Sequence, residues 1–405
     1  MASGTITKRG DSYQLKYEIG RDPTTNRRRR CTETVRGNKK AAEARLRELL
    51  NQVDKGTHID PNKMTVEALC AKFLEYKEPR VAARTHEGYS EILKNHVIPY
   101  LGNRLILKIN SLDFDFLFNN LAKGIGPNGE ERRKLGGRTV SHVHTVSFSA
   151  FGFAVQKGFI AVSPMAKVEP PKVASRHAND LASGGAEKVF ALDQEQLTSL
   201  IKFLEPNEIY ILVCFLAATG MRRGEVLASR WKDINFEKSS VSVNRAIECT
   251  KKFGTRFKDP KSPSSIRTIG INQNFVGLLR KMKKEAREKA FTFGKHIKED
   301  HLIFYNPEWL VDRDPLATPK PLNPGGVSKA FTRGIKDLGF TGFSLHGLRH
   351  THATLLLNNG VPVNAVAKRL GHAKPSITWD IYGRHVLKDA DAMAIEVSGF
   401  LLAGI

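Results

Sequence analysis

The stretch "SLHGLRHTHATLLLNNG", residues 344 to 360, places His346, Arg349, His350 and His352 within seven residues, just ahead of a leucine run. His346 and His350 stand four apart, and two histidines at that spacing share one face of a helix, as in a zinc site. The zinc-protease arrangement also needs a glutamate directly after the first histidine as general base, and that position is Gly347. No cluster of carboxylate, cysteine or histidine ligands completes a metal site around the pair, so the expectation is no bound metal. A phosphate clamp and an ordinary helix that carries imidazoles remain. His346 and Arg349, three apart, lie on one helical face, where an imidazole and a guanidinium can hold an anion together. His350 and His352 read as packing or supporting residues.

Three further stretches offer matching chemistry. In "ATGMRRGEVLASRW" an apolar helix breaks at Gly220 and a new one begins around Arg222, where helix N-terminal amides can join a guanidinium in holding an anion. "KDPKSPSSIRTIGIN" sets Lys261 in the turn before a strand, within reach of a cleft edge. "PVNAVAKRLGHAKPSITWDIYGRH" reads as a helix with Val363, Val366, Ala367 and Leu370 inward, a stop at Gly371, an exposed His372, a restart near Pro375, and Tyr382 just before Gly383. Taken singly, Arg222 is an ordinary surface residue and Lys261 an ordinary solvated lysine.

The elements that must position these residues belong to a long basic chain. Its 405 residues suffice for two or three domains, and 64 Lys plus Arg against 41 Asp plus Glu give a formal charge of +23. That balance points to a polyanionic partner, nucleic acid ahead of membrane. The longest apolar run, "IYILVCFLAATG", is too short to span a bilayer, and the N-terminus lacks the apolar stretch of a signal peptide, so a cytoplasmic protein without a membrane partner is expected. The four cysteines are scattered with no CxxC pair, which argues against a zinc ribbon or a disulfide framework.

Along the chain, "GTITKRG", "SYQLKYEIG" and "RRRRCTETV" read as three strands, with "RDPTTN" a turn and "NKKAAEARLRELLNQVDKG" a helix. Residues 1 to 56 carry 14 Lys plus Arg against 7 Asp plus Glu, with Arg27, Arg28, Arg29 and Arg30 at the turn entering the third strand. Those four and Lys16 are the expected phosphate contacts of this sheet, a solvated charge run being the bland alternative. Residues 63 to 172 read as a bundle of about four helices. In "TVEALCAKFLEY" Thr65 caps a helix whose Val66, Leu69, Cys70 and Phe73 face inward, and another follows Thr85 with Tyr89, Ile92 and Leu93 on one face. Residues 173 to 189, which follow the paired Pro170 and Pro171 and are rich in small polar residues with Gly184-Gly185, read as a linker. From 190 to 405 the chain is mainly helical, opening at an Asp193–Gln196 capping box and interrupted by strand-like "SSVSVNRAI" and "SSIRTIGIN".

The ordered set "TGMRRGE", a lysine on a hairpin, "HGLRHTHA" and "LGHAKPSITWDIY" closely resembles the tyrosine recombinases, specifically the integrases of phages and integrative elements. The set covers most of residues 190 to 390. The helical segment before it resembles that family's core-site binding domain, and the basic sheet-and-helix start its arm-site binding domain, more loosely. The resemblance implies a mainly α, multidomain α+β fold: an N-terminal three-stranded sheet with a helix (1–57), a helical core-binding bundle (63–172), and a mostly helical catalytic domain with a small sheet (190–405).

By the same resemblance Tyr382 is the nucleophile, Arg222 and Arg349 hold the scissile phosphate, His346 and His372 bind phosphate and handle protons, and Lys261 is the general acid. Lys251, Lys252 and Lys258 are nearby competitors for that last role. The implied reaction is cleavage and rejoining of DNA through a covalent 3'-phosphotyrosine, with no cofactor, ATP or divalent metal. The implied partners are double-stranded DNA at core and arm sites, a homotetramer on that DNA, and an excisionase or host DNA-bending protein, in the cytoplasm of a bacterial host. The apolar tail "DAMAIEVSGFLLAGI" suits either docking on a neighbouring protomer or packing on its own chain. Two rivals stay open: a type IB topoisomerase-like enzyme, and a DNA-binding regulator whose catalytic residues are vestigial.

Overall fold

The computed structural model describes residues 3–21, 26, 28–54, 64–169, 191–259, 265–314, 317–340 and 342–382. Arg27, Lys261, the 173–189 linker and the apolar C-terminal tail lie outside them. The chain divides into two compact units, Met1–Ser183 and Gly184–Ile405.

In the first unit, strands β1 (Gly4–Arg9), β2 (Ser12–Arg21) and β3 (Arg28–Arg36) form an antiparallel sheet in that order. Gly10, at φ 56°, occupies the two-residue turn between β1 and β2, where a side chain would be strained. Alternation along the strands sends Leu15 and Tyr17 toward helix α1 (Lys39–Asp54), where Ala42, Leu46 and Leu49 bury them. Lys16 and Glu18 alternate with Leu15 and Tyr17, and so belong to the face away from α1, and Arg28 and Arg30 both reach Glu18 there. Arg28, Arg29 and Arg30 thus sit within β3 rather than at the turn before it.

A separate core holds the helices that follow. Helix α2 (Val66–Lys77) is capped by Thr65, whose side chain accepts from the Ala68 amide at 3.2 Å, and it buries Val66, Leu69, Cys70 and Phe73 as expected. Helix α3 (Ala83–Ile92) starts two residues before Thr85 and does not run on as one regular helix. Its ladder widens into a π turn over Leu93–Val97 before the short α4 (Ile98–Leu101). Pro99 has no amide hydrogen for the α-helical ladder, which accounts for the change of pitch at this point. Helices α5 (Ser111–Lys123) and α6 (Gly137–Gln156) complete the bundle around Phe73, Phe114, Phe118 and Phe151, all essentially inaccessible to solvent. Burial of each such ring is worth roughly 1.5–3 kcal/mol.

The second unit opens with α7 (Gln194–Leu204), where the Asp193–Gln196 capping box forms reciprocally at 2.8 and 3.0 Å. Helix α8 (Tyr210–Thr219) is apolar on all sides and accordingly central, and Gly220 ends it in the left-handed conformation at φ 65°. After the four-residue α9 (Arg223–Val226), strands β4 (Ile234–Asn235), β5 (Ser240–Val243) and β8 (Arg267–Gly270) make one small antiparallel sheet. Between β5 and β8, strands β6 (Ala246–Thr250) and β7 (Gly254–Lys258) form a separate hairpin. Helices α10 (Gln273–Thr292), α11 (Glu308–Val311) and α12 (Pro324–Gly334) lead to α13 (Leu345–Asn358), which carries the histidine stretch and lies against α8. Helix α14 (Val363–Leu370) buries Val366, Ala367 and Leu370 and stops at Gly371, φ 71°, and residues 375–382 are again helical.

Candidate active site

Two helix ends build the site. A helix leaves its last carbonyls without partners inside the helix, and α8 and α14 both terminate at glycines in the left-handed conformation. Arg349, on α13 and 2 % exposed, donates from Nη1 to the Gly220 carbonyl at 2.7 Å and from Nη2 to the Leu370 carbonyl at 2.8 Å. Its cation therefore sits where both helix dipoles are negative. The preceding carbonyls of α8 are satisfied from the same side. His352 Nδ1 bonds Ala217 O at 2.8 Å, and Arg369 Nη2 donates to Ala218 O at 3.1 Å. Arg369 Nε in turn donates to His352 Nε2 at 2.9 Å, so His352 carries its proton on Nδ1 and is a structural brace. A Cβ at Gly220 would come within 2.5 Å of the His352 ring, so glycine is required there by space as well as by backbone angle.

Against this brace lies a cavity of about 600 Å³ whose lining includes Arg222, His346, Arg349, His350, His372 and Tyr382. The five expected catalytic residues that fall among the described positions, Arg222, His346, Arg349, His372 and Tyr382, therefore meet in one place. Arg222 stands at the N-cap of α9, with its side chain 41 % exposed. Its own amide donates to Glu225 Oε2 at 2.9 Å, and α9 is only one turn long. Its guanidinium bonds Glu225 Oε1 at 2.9 Å. Glu225 also receives Arg267 Nη2 at 2.8 Å, both side chains being 6 % exposed. Burial alone would raise the Glu225 pKa, but its bonds to Arg267 and Arg222 outweigh that and hold it below the usual carboxylate range.

The titratable groups are shaped by burial among cations. Burial, joined by Arg222, lowers the Arg349 pKa to about 10, which leaves it charged at neutral pH. Burial pushes the Tyr382 hydroxyl up to about 12 against the opposing pull of Arg349 and Arg222, and Tyr382 is 1 % exposed. Desolvation and neighbouring cations lower His350 and His372 to about 4, and His346, at the solvent side, is lowered by the same causes. All three imidazoles are neutral at pH 7. His372 Nδ1 meets Thr378 Oγ1 at 2.7 Å, and the His346 and His350 rings pack edge to face at 4.7 Å. His350 Nδ1 lies 2.9 Å from the Tyr382 hydroxyl.

That last contact was not legible in the sequence, where His350 reads as packing. Glu225, Arg267 and Arg369 also escaped notice. The local signal for Glu225 was its position three residues after Arg222, where a carboxylate reaches back to the first amide of a helix. Lys258 of β7 lines the cavity with its Nζ 3.4 Å from Glu248, while Lys261 is outside the described residues. Among the described residues, no group of three or more His, Cys, Asp or Glu is placed to hold a metal ion. No described helix is long and apolar enough to cross a membrane.

A tyrosine hydroxyl beside two arginines and three neutral imidazoles is equipped for phosphoryl transfer to an oxygen nucleophile. Comparison with known proteins gives this arrangement its class. Residues 191–388 match the phage integrase family and residues 65–121 match the SAM-like N-terminal domain of phage integrases. A tyrosine recombinase XerC-like protein of Caldanaerobacter subterraneus subsp. tengcongensis is 24 % identical over 402 residues, 95 % of each chain. The Tn1549 transposon integrase, solved with transposon right end DNA, superposes with a TM-score of 0.62 at 20 % identity over 83 % of this chain and 100 % of that one. A lambda integrase tetramer bound to a Holliday junction superposes with a TM-score of 0.53 at 16 % identity over 93 % and 94 %. The chain belongs to the phage integrase family and is a tyrosine-type site-specific recombinase.

Proposed function

We propose that the protein integrates and excises a mobile element or prophage by cleaving double-stranded DNA through a 3'-phosphotyrosine at Tyr382. The carrying observation is the single cavity that gathers Tyr382 with Arg222, Arg349, His346 and His372. A phosphodiester repels nucleophiles, and its pentavalent transition state bears further charge on the equatorial oxygens. Two guanidiniums with planar donor forks stabilise that charge better than point cations. In this reading Arg349 holds one non-bridging oxygen from its braced position, Arg222 the other from the cavity rim, and His346 and His372 add neutral donors. Lys261 protonates the departing 5' oxygen, Lys258 being the alternative that lines the cavity. The Tyr382 oxygen forms a bond to phosphorus as the bond to the 5' oxygen breaks. The ester conserves the energy for rejoining to another strand, without ATP.

Residues 1–57 would bind arm-type DNA, with Lys16, Arg28 and Arg30 acting from the sheet face away from α1; Arg27 and Arg29, next to them in sequence, are the other expected contacts. Residues 63–172 would bind core-type DNA. The assemblies of the Tn1549 and lambda integrases on DNA support a duplex partner and, for strand exchange, a homotetramer. An excisionase or DNA-bending protein of a bacterial host would set direction. A supercoiled plasmid with two copies of a core site distinguishes this from topoisomerase-like action. Recombined circles are the expected product, and relaxed plasmid with no exchanged products would reject the proposal.

A further inference from the structure

We infer that His350 accepts the Tyr382 proton during strand cleavage. The inference rests on the recombinase reading above and assigns a role that the residue pattern left to His346 or His372. The geometry selects among the three imidazoles. His350 Nδ1 is 2.9 Å from the Tyr382 hydroxyl, whereas His372 Nδ1 is engaged by Thr378 Oγ1 at 2.7 Å and His346 packs its ring on His350. With both partners neutral, the Tyr382 hydroxyl can donate and Nδ1 accept when the imidazole proton resides on Nε2. That tautomer is the one competent to take the proton.

Among the described residues, charged and titratable groups face His350 from several elements. His346 and Arg349 come from its own helix, His372 from the turn after α14, Tyr382 from the helix beyond, and Arg222 acts on Tyr382 from the start of α9. Burial, joined by the Arg349 cation, keeps His350 neutral, and burial keeps the phenol protonated against the opposing pull of Arg349 and Arg222. A preformed phenolate is therefore disfavoured. As the Tyr382 oxygen bonds to phosphorus its proton becomes acidic and passes to Nδ1, while the 5' oxygen leaves with a proton from the general acid. The entering phosphate anion offsets the surrounding cations and makes protonated His350 easier to form. On rejoining, Nδ1 returns the proton to the Tyr382 oxygen.

The test uses the full-length protein and a duplex that it selects from a randomised DNA pool, following covalent adduct formation against pH. Loss of a positioned base costs about a hundredfold or more. His350→Gln should show that loss with DNA affinity unchanged. Its rate should also acquire a roughly tenfold rise per pH unit between about pH 6 and 9, because hydroxide must now remove the phenol proton. Should His350→Gln fail to bind DNA, His350→Asn serves the same comparison. A variant that cleaves at the wild-type rate, or slowly but with the wild-type pH profile, would show that His350 only packs beside Tyr382. Tyr382→Phe is the control on the underlying reading: an adduct persisting there, or no adduct from the wild type, overturns that reading and the role of His350 with it.

Discussion

Arg349 uses two of its five donors on the Gly220 and Leu370 carbonyls, so its plane is set before any phosphate arrives. A lysine cannot reach both carbonyls and also present a fork. Arg349→Lys should therefore lower adduct formation by at least about a hundredfold, and near-normal cleavage would refute the clamp. His352 gives a second expectation at this scale. Burial holds it near pKa 4, against 6.5 when unfolded, so the unfolded chain binds more protons between those values. Its contribution is full above about pH 6.5 and is lost progressively as pH falls toward 4, a change of roughly 3 kcal/mol. Denaturant midpoints should fall from pH 7 to pH 5, and His352→Gln should fall less steeply. A variant as acid-sensitive as the parent would contradict this. The sequence disclosed which residue types could handle phosphate because a helix puts positions three and four apart on one face. It could not disclose which imidazole meets a tyrosine 32 positions later, since that depends on how α13 and the 375–382 helix pack.

At the scale of elements, caps and breakers were the legible part. Thr65, the Asp193–Gln196 box, Gly220 and Gly371 all act where the sequence places them, because each effect is local. The π turn at Leu93–Val97 was less legible, although Pro99 was its signal, because a missing donor can kink, end or widen a helix. The N-terminal sheet is similar: alternation separates its faces, and Glu18 between Arg28 and Arg30 tempers the basic side. Removal of residues 1–57 should spare cleavage of a short core site and abolish complete recombination. The salt dependence of binding to long DNA should flatten by roughly one unit of slope for each phosphate that the truncated protein no longer neutralises. Unchanged recombination, or an unchanged slope, would mean that this segment serves another purpose.

For the whole molecule, the charge of +23 indicated a polyanion but not a reaction. The reaction follows from residues as far apart as Arg222 and Tyr382 lining a single cavity, and that convergence is a property of the packed unit rather than of any segment. The most direct measurement incubates the full-length protein with its selected core-site duplex in excess EDTA, denatures the mixture, and maps the nucleotide-bearing peptide by mass spectrometry. A 3'-phosphoryl adduct on Tyr382, absent from Tyr382→Phe although that variant still binds the duplex, is the expected result. An adduct on another residue, or cleavage that appears only when magnesium or zinc is restored, would contradict it.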